Sequence, residues 1–306
     1  METTVRTAWQ MAAGSKSGMK LLLQLMLWTG ILLAGPAHLQ AQSRLSQSDL
    51  YCAGFITARP VEDGLSILGS EDGGFKNEYA TGDYVYLNRG RDAITGSGGQ
   101  YAVVRPVKDV NAREAFPGQR KMLQELGTVY AEIGRLEVSV LHDRSATAKI
   151  LMACDSILSG DILVPFNTRT APPFKTPQMT ARFAPSTGKA NGLIVAAREF
   201  SVWVGEGKII YLNLGSAQGL QRGSYLYVTR GYLSGGNEEF GHASRQFPTE
   251  FNGTPVGRRL TVDEEATLPR EILGEVMVLS VEDGTATGII TYSRADIVVG
   301  DSVELE

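Results

Sequence analysis

The chain has 306 residues, of which 43% are hydrophobic and 20% charged, with a formal net charge of −4. That composition excludes a disordered chain and leaves room for two domains of ordinary size. The acidic balance, without any concentrated run of Lys or Arg, excludes a nucleic-acid-binding face. The 35 glycines favour many turns and therefore many short strands.

Leu21 to Gly35 is an apolar run preceded by Lys16 and Lys20 and followed by Pro36 and Leu39-Gln40-Ala41. This is the basic, apolar, small-residue order of a secretory signal peptide, with cleavage expected after Ala41. The competing reading is a membrane anchor. The run is fifteen residues long and holds Gln24 and Thr29, short of the roughly 20 residues a spanning helix needs. No transmembrane span is expected after cleavage. Met19-Lys20 would serve as a start of its own, making residues 1–18 an extension. A lipoprotein is disfavoured because Cys52 follows Asp49-Leu50-Tyr51 rather than small residues. Loss of Arg6, Lys16, Lys20 and Glu2 with residues 1–41 leaves 26 of the 29 basic and 32 of the 33 acidic side chains, a net of −6. The expected location is exported, in the periplasm or outside the cell. An even pair of cysteines there, Cys52 and Cys154, favours a disulfide over two buried thiols.

From residue 42 to 166 a first β-domain is expected. Tyr51–Thr57, Tyr84–Leu87 and Tyr101–Val104 read as strands from their β-branched and aromatic content. Val107–Leu126, split at Pro117-Gly118, is the one helical candidate, with Met122, Leu123 and Leu126 on one face. Leu126–Ala131, Leu136–Leu141 and Ala146–Ala153 follow as strands. Residues 167–189 carry Pro172, Pro173, Pro177 and Pro185 and read as a stiff linker. A second β-domain spans 190–306.

The second domain echoes the first. Tyr86 and Tyr211 each open Tyr-Leu-Asn, a Gly follows at four residues (Gly90, Gly215) and at twelve (Gly98, Gly223), and an Arg at nineteen (Arg105, Arg230). Asn191–Ala197 is matched to Ala53–Thr57, and Leu126-Gly127 to Leu273-Gly274, which leaves the first middle hairpin seven residues longer. The fold class expected is all-β, with two tandem small antiparallel β-barrel or sandwich domains related by an internal repeat. Asp161 and Asp301 follow Gly160 and Gly300 and read as turn residues.

Chemistry is sparse. Ser216 in Gly215-Ser216-Ala217-Gln218-Gly219 sits one place too early for a nucleophile elbow. Gly96-Ser97-Gly98-Gly99 precedes a strand, not the helix a dinucleotide loop requires. His142 and His242 have no partner at zinc spacing. No catalytic residue, cofactor or metal is therefore assigned, and the chain reads as not an enzyme. The long segment 231–270 carries Phe240, Phe247, Phe251, Arg258 and Arg259, side chains of the type that anchor interfaces. It stands either as a partner-binding loop or as an insertion whose aromatics pack on the barrel.

Gly215, Gly219, Gly223, Arg230, Leu273, Gly274, Gly300 and Asp301, with Gly90, Gly98, Tyr101, Arg105, Leu126, Gly127, Gly160 and Asp161 in the first half, form a pattern of strand ends and turns. It resembles the β-modules of bacterial secreted envelope proteins: the non-LysM part of LysM-containing proteins and, more distantly, the C-terminal barrel of flagellar assembly protein T. No segment resembles the LysM module itself or a flagellar N-terminal domain, so neither peptidoglycan binding nor a flagellar role is implied. What the resemblance implies is a non-catalytic envelope protein that scaffolds or binds at the cell wall or within a surface assembly. An envelope protein or cell-wall glycan is the expected partner. The alternatives are a polysaccharide- or peptidoglycan-acting hydrolase with an acidic pair, and a protein-only adaptor.

Overall fold

A computed structural model of the chain describes residues 45–108, 114–176, 181–231, 250–251, 254–255, 261, 263–264 and 267–306. The signal-peptide reading lies outside these residues. Among them, no helix is long and apolar enough to cross a membrane, which says nothing of a β-barrel.

The protein is all-β. Its strands are β1 Phe55–Thr57, β2 Ile67–Ser70, β3 Glu78–Tyr79, β4 Tyr84–Leu87, β5 Gln100–Pro106, β6 Thr128–Leu141, β7 Ala146–Ala153, β8 Ile157–Leu158 and β9 Ile162–Pro165, then β10 Asn191–Ala197, β11 Trp203–Val204, β12 Ile209–Leu212, β13 Tyr225–Arg230, β14 Glu250–Phe251, β15 Thr254–Pro255, β16 Glu271–Val281, β17 Ala286–Ser293, β18 Ile297–Val298 and β19 Ser302–Leu305. The later strands β10-β12-β17-β16-β13-β19 close into a barrel, so no edge is left open. The earlier ones form a sheet in the order β2-β4-β7-β6-β5-β9, with β1 added on β6. This sheet is not a continuous barrel. Its two edges meet at the Ser66–Ile162 bridge and through Ile67 N to Asp161 O at 3.0 Å, Gly160 N to Ile67 O at 2.8 Å and Leu163 N to Leu65 O at 2.9 Å.

The pairing register corrects two alignments read from sequence. Val103 pairs with Gly134 and Val228 with Gly274, so Gly274 matches Gly134 rather than Gly127. A Cβ at Gly134 would collide with the Met152 carbonyl and Ile157, and one at Gly274 with the Tyr292 carbonyl and Ile297. Only glycine fits there. Gly134 to Gly160 and Gly274 to Gly300 are then equal, at 26 residues each. Likewise β10 takes the place of β2, not of Ala53–Thr57. The two strands expected over Leu126–Leu141 are one, β6, whose register shifts at Arg135/Leu136 and Val138/Val140.

The helix Gln119–Leu126 forms where predicted. Its Gln, Arg, Lys, Met, Leu and Glu residues have high helix propensity. Gly127, at φ +117, ends it, with its N–H on Leu123 O. The strand expected over Tyr51–Thr57 is shortened to β1, Phe55–Thr57, because Tyr51 ends a helix, Gln47–Tyr51, started by a capping box between Ser46 and Asp49.

The barrel core gathers Ile194, Ile210, Leu212, Leu226, Val228, Val276, Val278, Ile290 and Val303. Ala115 and Phe116, from the crossover between β5 and β6, belong to the same core. The crossover of the earlier set therefore enters the core of the later barrel. Gln119 is 1% exposed; it donates to Val195 O at 2.8 Å and accepts from Ala115 N at 2.7 Å. A buried amide so satisfied fixes the docking angle.

Candidate functional site

The seam where the earlier sheet meets the barrel is the most elaborated polar arrangement among the described residues. Residues 52–57 run through it, turning at Gly54 (φ +71) and extended from Phe55 as β1. Along one edge, β1 pairs with β6 through Phe55–Tyr130, Ile56–Val129 and Thr57–Thr128. Across the other side, the barrel reads its carbonyls one after another. Arg198 Nη1 donates to Cys52 O at 3.3 Å and Tyr211 Oη to Ala53 O at 3.0 Å. Thr287 Oγ1 donates to Gly54 O at 2.9 Å and Thr285 Oγ1 to Ile56 O at 2.5 Å. Burial pushes the Tyr211 phenol well above the ordinary tyrosine range, so it remains a donor. Gly54, at φ +71, would with a Cβ strike Tyr211 Oη and the Tyr130 carbonyl, so glycine is needed for this approach.

The segment is held from behind as well. Gly54 N donates to Glu132 Oε2 at 3.2 Å. Arg169 pairs with the Glu132 carboxylate through both Nη atoms and donates to Leu50 O at 2.8 Å. Cys52 is bonded to Cys154, as the even cysteine count favoured. That bridge ties the segment to the end of β7.

The Pro-rich stretch 167–189 is pinned along much of its described length. Phe174 packs against Ile209, Met277, Leu279 and Ile289 on the outside of the barrel. Lys175 Nζ lies between Glu275, at 3.3 Å, and Glu306, at 2.5 Å. Burial raises the Glu275 carboxyl above its ordinary value; a hydrogen bond from Thr291 opposes this, and proximity to Glu306 adds to it. Glu304 accepts from Ser186 Oγ, from Thr187 N at 2.9 Å and from Gly188 N at 3.2 Å, and pairs with Arg270.

Asp161 and Asp301 are more than turn residues. Arg105 grips Asp161 with Nε at 2.7 Å and Nη2 at 2.8 Å, and donates to Ser156 O at 2.9 Å. Arg230 grips Asp301 with Nε at 2.7 Å and Nη2 at 2.6 Å, and donates to Asp296 O at 3.0 Å. Leu158 N and Val298 N close the two turns onto the same carboxylates. Each is a bidentate corner that pins the last turn to the third long strand of its set. The sequence carried the signal: Arg and Gly-Asp recur at matched places in both halves.

Two clefts flank the helix Gln119–Leu126. One of about 260 Å³ is lined by Val107, Glu114, Gln119, Arg120, Leu123 and Thr128 among others. The other, about 250 Å³, is lined by Thr57, Arg59, Glu125, Glu282, Asp283 and Thr285 among others. In the second, burial raises the Glu282 carboxyl and Asp283 adds to it.

Of the predicted partner-binding residues, Phe240, Phe247, Arg258 and Arg259 lie outside the described residues. Phe251 is placed only as the end of the short strand β14, paired with Thr254 of β15. His142 is exposed, its Nε2 3.3 Å from Thr147 Oγ1. The seam residues Tyr211, Thr285, Thr287 and Arg198 were not singled out as a site from sequence. Tyr211 entered only as the first residue of a recurring Tyr-Leu-Asn triplet, and Arg198, just after β10, and Thr285 and Thr287, at the start of β17, carry no motif.

No protein-family model matches the chain, and no curated protein sequence matches it significantly.

Proposed function

We propose that this is an exported, non-catalytic protein of the bacterial envelope that scaffolds or binds within a surface assembly. The observation carrying this reading is the seam. The outer face of the barrel holds the chain segment 52–57 by four side-chain contacts to its backbone carbonyls, those of residues 52, 53, 54 and 56. Reading of carbonyls along a sheet face is a way of holding protein rather than transforming a small molecule. The Cys52–Cys154 bridge supports an oxidising, exported location. Fractionation of cells expressing the chain tests export, with N-terminal sequencing for cleavage after Ala41. Incubation with insoluble cell-wall material tests binding by pelleting. Recovery in the cytoplasm with residue 1 intact would overturn the reading.

The rival reading, a hydrolase acting on cell-wall glycan, is favoured by one observation: the raised Glu282 carboxyl beside Asp283 in the cleft next to Glu125. Release of reducing sugar from cell-wall material, abolished by Glu282→Gln, would establish it in place of the first.

A further inference from the structure

The closed barrel is buried on both sides of its sheet where the earlier sheet covers it. Every residue of β12 is buried, whereas β4 at the corresponding place in the earlier sheet alternates between buried and exposed. The residues concerned occupy matching register. Tyr86 pairs with Thr147 and Tyr211 with Thr287, and Leu87 and Leu212 each pair with the alanine just before that threonine, Ala146 and Ala286. Tyr211 is 1% exposed and Tyr86 41%; Val195 is 0% exposed and its counterpart Leu68 59%. Val140, next in the same row beyond Thr147, is 49% exposed.

The uncovered face keeps the hydrogen-bonding groups of the covered one. Tyr86, Thr147 and Ser145 stand where Tyr211, Thr287 and Thr285 bind the carbonyls of residues 53, 54 and 56. Among the described residues, no segment lies across them; the Thr147 hydroxyl meets only the exposed His142. A face with the apolar row and the hydroxyls of the seam is suited to the same occupant: the side of a β-unit of this kind.

The closed barrel offers such a side. On the earlier sheet, the covering side is β1 laid along the start of β6, with Ile56 and Val129 packed on Val195 and Tyr211. On the barrel, residues 181–184 lie beside the start of β16, with Ile272 N donating to Arg182 O at 2.8 Å. Phe183 there is 56% exposed, and Leu268, just before β16, is 38% exposed. Of the seven large exposed hydrophobic residues among those described, Leu68, Tyr86 and Val140 lie on strands β2, β4 and β6 of one sheet, and Phe183 and Leu268 on the two segments that flank the start of β16. Apolar side chains collected in this way mark contact surfaces.

We propose that the outer face of β2, β4, β7 and β6 docks a second copy of this chain, which seats the Phe183 and Leu268 side of its closed barrel there. The contact continues the internal seam from one molecule to the next. It joins two different surfaces, so it is heterologous and propagates head to tail. The inference rests on the scaffolding reading for its biological sense, because such a contact builds an assembly.

Sedimentation velocity on the purified chain, over a wide concentration range, is the test. The expected result is reversible association beyond a dimer, with Tyr86→Asp and Phe183→Asp each raising the dissociation constant about tenfold or more. Trp203→Asp, at an exposed aromatic on β11, outside the strands and segments named for the contact, leaves it unchanged. Mixing the Tyr86→Asp and Phe183→Asp variants leaves one intact contact per pair and gives dimers that grow no further. Far-UV circular dichroism checks that each variant is folded. A chain that stays monomeric at every concentration, association that Trp203→Asp weakens equally, or a mixture that fails to pair overturns the inference. Because no envelope is present, a monomer that still fractionates with the envelope removes this inference alone. A self-associating chain retained in the cytoplasm removes the functional reading alone.

Discussion

The phenol of Tyr211, on the barrel, donates to the carbonyl of Ala53, on the segment leading into the earlier sheet, at 3.0 Å and out of reach of water. Removing that hydroxyl leaves a buried carbonyl without its donor, which costs about 1–3 kcal/mol. Tyr211→Phe is therefore expected to lower the urea midpoint without changing the slope of the transition. Tyr86→Phe, at the matching exposed position, should stay within about 0.5 kcal/mol of the parent. Equal effects from the two would show that the seam contact contributes nothing beyond the ring.

Strands, turns and the all-β class were legible because each rests on local chemistry: aromatic and β-branched runs, and glycines that their turns require. The helix Gln119–Leu126 was legible from its residue types for the same reason. The match of Leu126-Gly127 to Leu273-Gly274 failed because two Leu-Gly pairs look alike in sequence and both glycines exclude a Cβ, Gly127 against Thr57 and Ala58 and Gly274 against the Tyr292 carbonyl; only the cross-strand pairing of Val103 with Gly134 and of Val228 with Gly274 tells them apart. Phe116 entering the barrel core was illegible. Its burial depends on barrel residues from Ile194 onward, 78 or more positions away in the chain, and nothing local marks it. The seam donors were hidden for a related reason, since a Tyr or Thr on a strand face looks the same whether covered or bare.

The Arg230–Asp301 corner should be the most sensitive ion pair of the barrel. Asp301 is 0% exposed, and Arg230→Met would strand its charge, a loss of about 3–5 kcal/mol. Burial already holds the Asp301 carboxyl above its ordinary value of 3.8, with the Arg230 hydrogen bonds opposing. A carboxyl raised in the folded state contributes fully below its unfolded value, and that contribution is lost as pH rises through the folded one. Without the guanidinium the gap widens. The deficit of Arg230→Met is therefore expected to be largest at neutral pH and to shrink on acidification, read from chemical unfolding at a series of pH values. A deficit independent of pH would mean that packing, not charge, is what the arginine supplies.

The Cys52–Cys154 bridge closes a loop with a sequence separation of 102. In the chain-entropy model, a loop of that length restrains the unfolded state by up to about 4–5 kcal/mol. Unfolding with and without reductant, and of the Cys52→Ser, Cys154→Ser double variant, should show a loss approaching that size. Because Cys52 O also accepts from Arg198, the loss should be accompanied by faster hydrogen exchange in residues 52–57. Two titratable thiols in the unfolded, unreduced chain would contradict the bridge itself.

Glu304 predicts how the stretch after the linker prolines responds to acid. Burial pushes its carboxyl up, but hydrogen bonds from Ser186, Arg270 and Thr187 more than offset this and hold it below its ordinary value of 4.5. A carboxyl lowered in the folded state stabilises above its unfolded value, and the contribution is lost as pH falls through the folded one. The charged hydrogen bonds to Ser186, Thr187 and Gly188 and the pair with Arg270 should therefore hold residues 186–188 to β19 at neutral pH and release them in acid. Glu304→Gln is expected to lose about 1–3 kcal/mol at neutral pH, the scale for hydrogen bonds to a charged buried group. Its difference from the parent should begin to narrow as pH falls through the ordinary value of 4.5, where the unfolded chain takes up the proton, and close only once the folded carboxyl, held lower, is protonated as well. A difference that widens in acid would mean that Glu304 is destabilised by its burial and that the linker is held by Lys175 instead.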